Sequence, residues 1–405
     1  MGLPGKPAPS VASLLTAVCL GAALGLVLTT ARGAVGSAPQ GGGSLFGWTS
    51  DMLGLGESRA EALRSCTDFA CVRQAHTRPG KFNFPHFFII GFPKAATTSL
   101  HAYLTAHPQA LNPRGKAPPR PRTCPVTHPQ EAQFFSGKGA CWHPDNETAH
   151  WGCGAAETAH YINHTLRRDD AVKFGMERPA FESTTDYVWG GINMSTSVYE
   201  LAAGVRYEVP WVKIVISMRE PISHQISGKV HTLDMLKNPE WWFNPEEADA
   251  CVRRLYNGTA TMYDCIKNQL KKEGSYLEPL NAWLTAFPPE QVHVIQFENL
   301  TGDATRAATL NGVMRFLGME PELGLKTLFR NNSRKAEARP EGWPMKRAHL
   351  EELVGSAQTK AERIADVLER YGFHSQAAWM ASWRASWDAN LASCKPDGMC
   401  AFVPT

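Results

Sequence analysis

The segment of this sequence most informative about chemistry is Phe87–Leu100, FFIIGFPKAATTSL. An apolar run ends in Gly91-Phe92-Pro93-Lys94, and small residues with two threonines then open a helix-like stretch. Backbone N–H groups at a helix N-terminus, with an ammonium beside them, bind anions. Lys94, Ala95, Ala96, Thr97, Thr98 and Ser99 therefore form a candidate phosphate cradle. The pattern is not G-x-x-x-x-G-K-[ST], because Lys94 comes early and the second glycine is missing. A structural strand–helix turn, led in by Pro93 and capped by Thr97, accounts for the same letters. Arg219 is the second candidate. It follows an apolar run, and its planar fork suits phosphate; the alternative is a strand-end ion pair with Glu220 or another acid. Groups near these motifs that could take a proton are Glu131, His128, His101 and Glu182.

These residues need strands and helices to position them. Strand-like runs stand at His86–Ile90, Trp211–Ser217 and Val292–Phe297, each followed by a turn. Helical spacing marks Thr97–His107, where Leu100, Tyr103 and Leu104 share a face, and Tyr276–Phe287. Met345–Trp387 reads as helices, most clearly over Ala361–Tyr371, and the Pro-rich basic stretch Asn112–Pro125 reads as a loop. Strands alternating with helices predict an α/β fold, a parallel sheet with helices on both faces. In open sheets of that kind ligands bind at the carboxyl ends of the strands, where Lys94 and Arg219 fall.

The order Pro-Lys-x-x-Thr-Thr-Ser-Leu resembles the 5′-phosphosulfate loop of the sulfotransferases that use 3′-phosphoadenylyl sulfate (PAPS). Val212–Ser227, VKIVISMREPISHQIS, is similar to that family's 3′-phosphate motif, a strand, an Arg-x-Pro turn and a serine eight residues after the arginine. Arg219 and Ser227 fall on those places, although many relatives carry another arginine where this chain has Ser223-His224. Gly274-Ser275-Tyr276, Trp283-Leu284, Phe287-Pro288 and Phe297-Glu298-Asn299-Leu300 resemble the Golgi carbohydrate branch, including the heparan sulfate enzymes. The likeness runs from about Phe84 to Leu317 and implies a P-loop-like sulfotransferase core. It implies that Lys94 neutralises the leaving group, that Arg219 and Ser227 hold the 3′-phosphate, and that no metal takes part. In the heparan sulfate group a glutamate before paired phenylalanines is the general base, and Glu131, ahead of Phe134-Phe135, has that pattern. A lysine often follows the glutamate at the place of Glu182 in those enzymes; Ser183 stands there instead. Arg334, Lys335 and Arg339 match only loosely a basic loop that relatives use on the same phosphate.

Charge and composition bound the alternatives. The 405 residues are 43% hydrophobic with a net charge of +3, too near neutral for a dedicated nucleic-acid binder. Val11–Thr30 carries no charge and has the length of a membrane-crossing helix. A signal anchor, a cleaved signal peptide and part of a transit peptide all suit it. The anchor reading gives a cytoplasmic tail over 1–10, an anchor over 11–30, a lumenal stem over 31–84 and a catalytic domain over 85–405. Six N-x-[ST] sequons, at Asn146, Asn163, Asn193, Asn257, Asn299 and Asn331, argue for a lumenal body. So do the close cysteine pairs Cys66/Cys71, Cys251/Cys265 and Cys394/Cys400, candidate disulfides of an oxidising compartment. Cys141, His143, His150, Cys153, His160 and His164 fit no compact zinc spacing. Arg114, Lys116, Arg120 and Arg122 are a solvated basic loop or a grip on an anionic sugar chain.

The expectation is a single-pass, type II Golgi membrane enzyme that moves a sulfonate from PAPS to a hydroxyl, or in second place an amine, of a carbohydrate. Its partners would be a glycan acceptor and the membrane, with no nucleic acid. Tyrosine sulfation, a nucleotide kinase and a catalytically silent glycan-binding protein are the rivals.

Overall fold

Strands buried on both faces carry unbroken apolar runs, and the computed structural model puts such runs side by side. It describes residues 57–111, 134–135, 155–190, 197–238, 245–271, 276–321 and 341–405. Val11–Thr30 lies outside them, and among the described residues no helix is long and apolar enough to cross a membrane. In chain order the elements are α1 Arg59–Leu63, α2 Phe69–Ala75, β1 Phe87–Gly91, α3 Thr97–Ala106, α4 Ala155–His160, α5 Arg168–Lys173 and β2 Phe181–Glu182. There follow α6 Val198–Glu208, β3 Lys213–Met218, α7 Pro221–Lys237, α8 Ala250–Tyr256, α9 Met262–Lys271, α10 Leu277–Ala286 and β4 Val292–Gln296. The last are α11 Phe297–Thr301, α12 Arg306–Leu317, β5 Trp343–Lys346, α13 Arg347–Arg370, α14 Gln376–Ala392 and β6 Met399–Phe402.

The main sheet is parallel, in the order β2-β1-β3-β4. The chain steps outward from β1 to β2, then crosses back to β3 on the other side, so the order reverses between β1 and β3. Alternate strand residues point to opposite faces. Phe87, Ile89, Val215 and Ile295 pack with α3 and α12 through Leu100, Leu104, Val313 and Leu317. Phe88, Ile90, Ile214, Ile216 and Val294 pack on the other side with α6, α10, α13 and α14. Helices thus cover both faces, as the sequence predicts.

Two expectations are corrected. Residues 57–84, assigned to a stem, belong with the rest of the described chain: Leu63, Cys66, Phe69, Val72 and Phe84 are buried in the larger core. The start of Met345–Trp387 is strand, because Trp343–Lys346 pairs antiparallel with Met399–Phe402. The three expected disulfides are formed, Cys66–Cys71, Cys251–Cys265 and Cys394–Cys400. Of the sequons within the described residues, Asn257 is exposed at the end of α8, whereas Asn163 and Asn299 are half-buried.

Candidate active site

The loop after β1 and the turn after β3 are neighbours at the reversal point of the sheet, the place where open α/β sheets bind ligands. The β1 loop is held from below. Phe92 N donates to Ser217 O at 2.7 Å, and Ser217 Oγ donates to Ala95 O at 2.6 Å. Lys94 and Ala96 have φ of 67° and 62°, the left-handed region. Two such non-glycine residues cost about 1–3 kcal/mol each. Ser217 and the contacts below keep the loop in that shape. Ala96 then opens α3 and supplies no capping side chain, and the first turn has no acid. A helix N-terminus of this kind attracts an anion.

Gly91 fixes the opposite wall. Its φ is +148°, and a Cβ there would stand 2.7 Å from Val188 Cγ1. Only glycine lets the 3-10 turn Thr185–Trp189 close over the end of β1. Phe92 fills the space between, edge-on to Tyr276 at 4.4 Å and to Trp189 at 5.1 Å. Trp189 is 39% exposed, an aromatic face at the rim.

Arg219 joins the two loops. Its Nη1 donates to Lys94 O at 3.2 Å, its Nη2 donates to Thr405 O, and its guanidinium lies 4.3 Å from the centre of the Phe297 ring. Burial lowers its pKa from the ordinary arginine value, opposed by Glu298, Tyr276 and Glu220. The expected alternative, an ion pair with Glu220, is not how that acid is used. Glu220 is fully buried and accepts from Ile222 N and Ser223 N, both at 2.7 Å, and from Trp387 Nε1 at 2.7 Å. It therefore caps α7, with Pro221 in the first turn. Glu298 accepts from Glu220 N at 2.9 Å and Trp383 Nε1 at 3.0 Å, and burial raises its pKa. Tyr276 Oη donates to Arg219 O at 2.9 Å.

Ser223 and Ser227 are one turn apart on the same side of α7 as each other, following Arg219. His224 departs from the arginine that many relatives carry nearby. It is buried, its Nε2 lies 2.8 Å from Pro93 O, and desolvation pushes its pKa down to about 4. The neutral ring donating from Nε2 ties α7 to the β1 loop.

Glu131, His128, the basic residues Arg114 to Arg122 and the triplet Arg334, Lys335 and Arg339 lie outside the described residues. Phe134 and Phe135 are buried: Phe134 stacks on Tyr161 at 4.1 Å, and Phe135 N donates to Tyr187 Oη at 3.1 Å. Tyr161 Oη donates to Glu182, which is 1% exposed, so this rival proton acceptor is enclosed. Burial, then the Glu182 charge, pushes both tyrosines well above their usual range and keeps them protonated. His101 is likewise buried. Of the six suggested metal ligands, His160 and His164 are described, with rings 4.7 Å apart. The contacts made by Glu220, His224, Tyr276, Glu298 and Thr405 were not read from sequence. Glu-Pro at the start of a helix was the available signal for Glu220; Thr405 gave none.

The model of the family described as "Sulfotransferase family" matches residues 85–322. A bifunctional heparan sulfate N-deacetylase/N-sulfotransferase of Drosophila melanogaster is 24% identical over 264 residues, 62% of this chain. The chain spans about a fifth of that relative's length (21%). Among solved structures, a sulfotransferase from Alicyclobacillus acidocaldarius is 21% identical with a TM-score of 0.41, covering 73% of this chain and 98% of that one. A sulfotransferase domain from the curacin biosynthetic pathway is 13% identical with a TM-score of 0.33, covering 62% and 80%.

Proposed function

The chain belongs to the sulfotransferase family, and from that premise we propose that it transfers a sulfonate group from PAPS to a hydroxyl of a carbohydrate, with an amine as the second acceptor class. One observation carries the reading: Arg219 Nη1 donates to Lys94 O at 3.2 Å, and, beyond desolvation, the charges of Arg219 and Lys94 both act on His224 and lower its pKa. Two cationic residues therefore stand side by side at the sheet's reversal point. A donor with phosphates at both ends of a ribose suits two cationic sites side by side.

In this reading the acceptor oxygen attacks sulfur in line with the bond to the 5′-phosphate. The new S–O bond forms as the old one breaks, and adenosine 3′,5′-bisphosphate leaves with the electron pair. Lys94 and the N-terminus of α3 stabilise the charge that grows on the leaving oxygen. Arg219 and Ser227 hold the 3′-phosphate, which distinguishes this donor from ATP. Glu131 takes the acceptor's proton. A carbohydrate acceptor agrees with the name of the fly relative, and Trp189 supplies an exposed aromatic face at the rim. The three disulfides and the exposed sequon at Asn257 support an oxidising, lumenal setting. Within it we assign the protein to the Golgi membrane, held by Val11–Thr30.

The test incubates purified chain and radiolabelled PAPS with a panel of glycans and tyrosine peptides. Label on glycans is expected. Label on the peptides alone would move the acceptor to tyrosine, and donor binding without transfer to any acceptor would contradict the enzymatic reading.

A further inference from the structure

A guanidinium receives an oxyanion best along an edge where two N–H groups point the same way. In Arg219 one such edge is Nε with Nη2. Nη2 donates to the backbone oxygen of Thr405, while Nε is buried and has no hydrogen-bond partner among the described residues. One oxygen has met half of the edge and left the other half orphaned. A phosphate has oxygens for both donors at once.

The segment that supplies this oxygen is held by hydrogen bonds. It leaves β6 after Phe402, and Asn390 brackets Val403, accepting from its N at 2.7 Å and donating to its O at 3.3 Å. Thr405 N then donates to Ser223 Oγ at 3.1 Å, and Thr405 Oγ1 donates to Glu298 Oε1 at 3.2 Å. Val403 and Thr405 are exposed, so hydrogen bonds and not buried apolar surface keep the segment in place. Thr405 therefore lies on Arg219 and Ser223, along the same side of α7 that leads to Ser227.

We propose that Val403–Thr405 is a displaceable strap that occupies the Nε/Nη2 edge of Arg219 in the free protein and yields it to the 3′-phosphate of the donor. This rests on the assignment of Arg219 to that phosphate. The strap lowers apparent affinity only for ligands that carry a 3′-phosphate, because only they must displace it. A ligand without one binds beside a closed strap.

The test is calorimetric titration of adenosine 3′,5′-bisphosphate and of adenosine 5′-phosphate into three proteins: the full chain, the chain ending at Phe402, and full-length Thr405→Pro. The proline removes the N–H and hydroxyl that hold the strap, at an exposed position. Removing a closed state raises apparent affinity by the fraction it occupied. The shortened chain and Thr405→Pro should bind the bisphosphate on the order of 10-fold tighter, with the 5′-phosphate unchanged. Unchanged or weaker bisphosphate binding in both, or an equal gain for the 5′-phosphate, overturns the strap. Arg219→Lys separates the two ideas. If it weakens bisphosphate binding while shortening the chain gains nothing, the strap fails and the donor assignment stands. If it binds the bisphosphate as tightly as the natural chain, the donor assignment fails and the strap with it.

Discussion

The β1–α3 and β3–α7 units have the same plan, a buried parallel strand, a tight turn and a helix, yet they treat their helix N-termini in opposite ways. At α7 the chain brings its own anion: the Glu220 carboxylate accepts from Ile222 N and Ser223 N and is locked by Trp387. At α3 the cap residue is Ala96, no acid stands in the first turn, and Lys94 is beside it. One N-terminus carries its own anion, and in the proposed function the other receives the donor's. A strand–turn–helix is a scaffold for an anion, and the cap residue decides whether the anion belongs to the protein. The self-capped unit still serves the site, since its rigid turn aims Arg219 at Lys94 O.

The largest effect expected comes from a change that leaves both units intact. Glu131→Gln should lower sulfonate transfer by about 10² to 10⁴, the usual range for a general base, with adenosine 3′,5′-bisphosphate binding within a few-fold of normal. Full activity in this variant would remove Glu131 from the mechanism, and His128→Asn is the matched comparison. The comparison itself is broken by Ala96→Asp, which gives the first unit an acid like that of the second. The carboxylate repels the donor's phosphates, so donor affinity should fall by about 10-fold or more, from like-charge repulsion at close range. Unaltered titration curves would show that the α3 terminus does not face the donor.

Glu220→Ala breaks the second unit in the opposite sense. It orphans two backbone N–H groups and the Trp387 indole, all buried, and should cost about 3–5 kcal/mol of stability. Chemical denaturation reads this directly; a midpoint that does not move would contradict the capping role. The smallest effect lies between the units. His224, His86 and His293 are pushed down to about 4 and His76 to about 3, each chiefly by desolvation. A depressed histidine pKa means the unfolded chain binds the proton first, so stability is full above about pH 6.5 and falls as pH drops toward 4. His224→Gln keeps a donor for Pro93 O but does not titrate. It should remove up to one proton, about 1.4 kcal/mol per pH unit, from that slope. An identical slope in the variant would mean that His224 is not neutral in the fold.

Much of this was legible in the sequence where local pattern decides structure. β1, β3 and β4 were readable to within two residues because burial on both faces leaves uninterrupted apolar runs. The positions of the Lys94 loop and Arg219 were readable because the apolar runs of β1 and β3 stop just before them. β2 was not, since Phe181–Glu182 is too short to show a period. Residues 57–84 read as stem because α1 and α2 are short, and their burial depends on partners far along the chain. The strap was invisible for the same reason: Arg219 and Thr405 are 186 residues apart, and nothing local in Val403-Pro404-Thr405 announces the contact. The left-handed residues Lys94 and Ala96 also escaped, because a sequence without glycine there predicts ordinary φ.

In the proposed function two different units hold the two phosphates of one donor. Phosphorus NMR of bound adenosine 3′,5′-bisphosphate tests it, since the 3′ and 5′ resonances report separately. Lys94→Ala should move the bound 5′ resonance toward its free position and leave the 3′ one in place. Arg219→Lys should do the reverse. If either variant moves both resonances equally, or each moves the other's, the division of labour between the β1–α3 and β3–α7 units is contradicted.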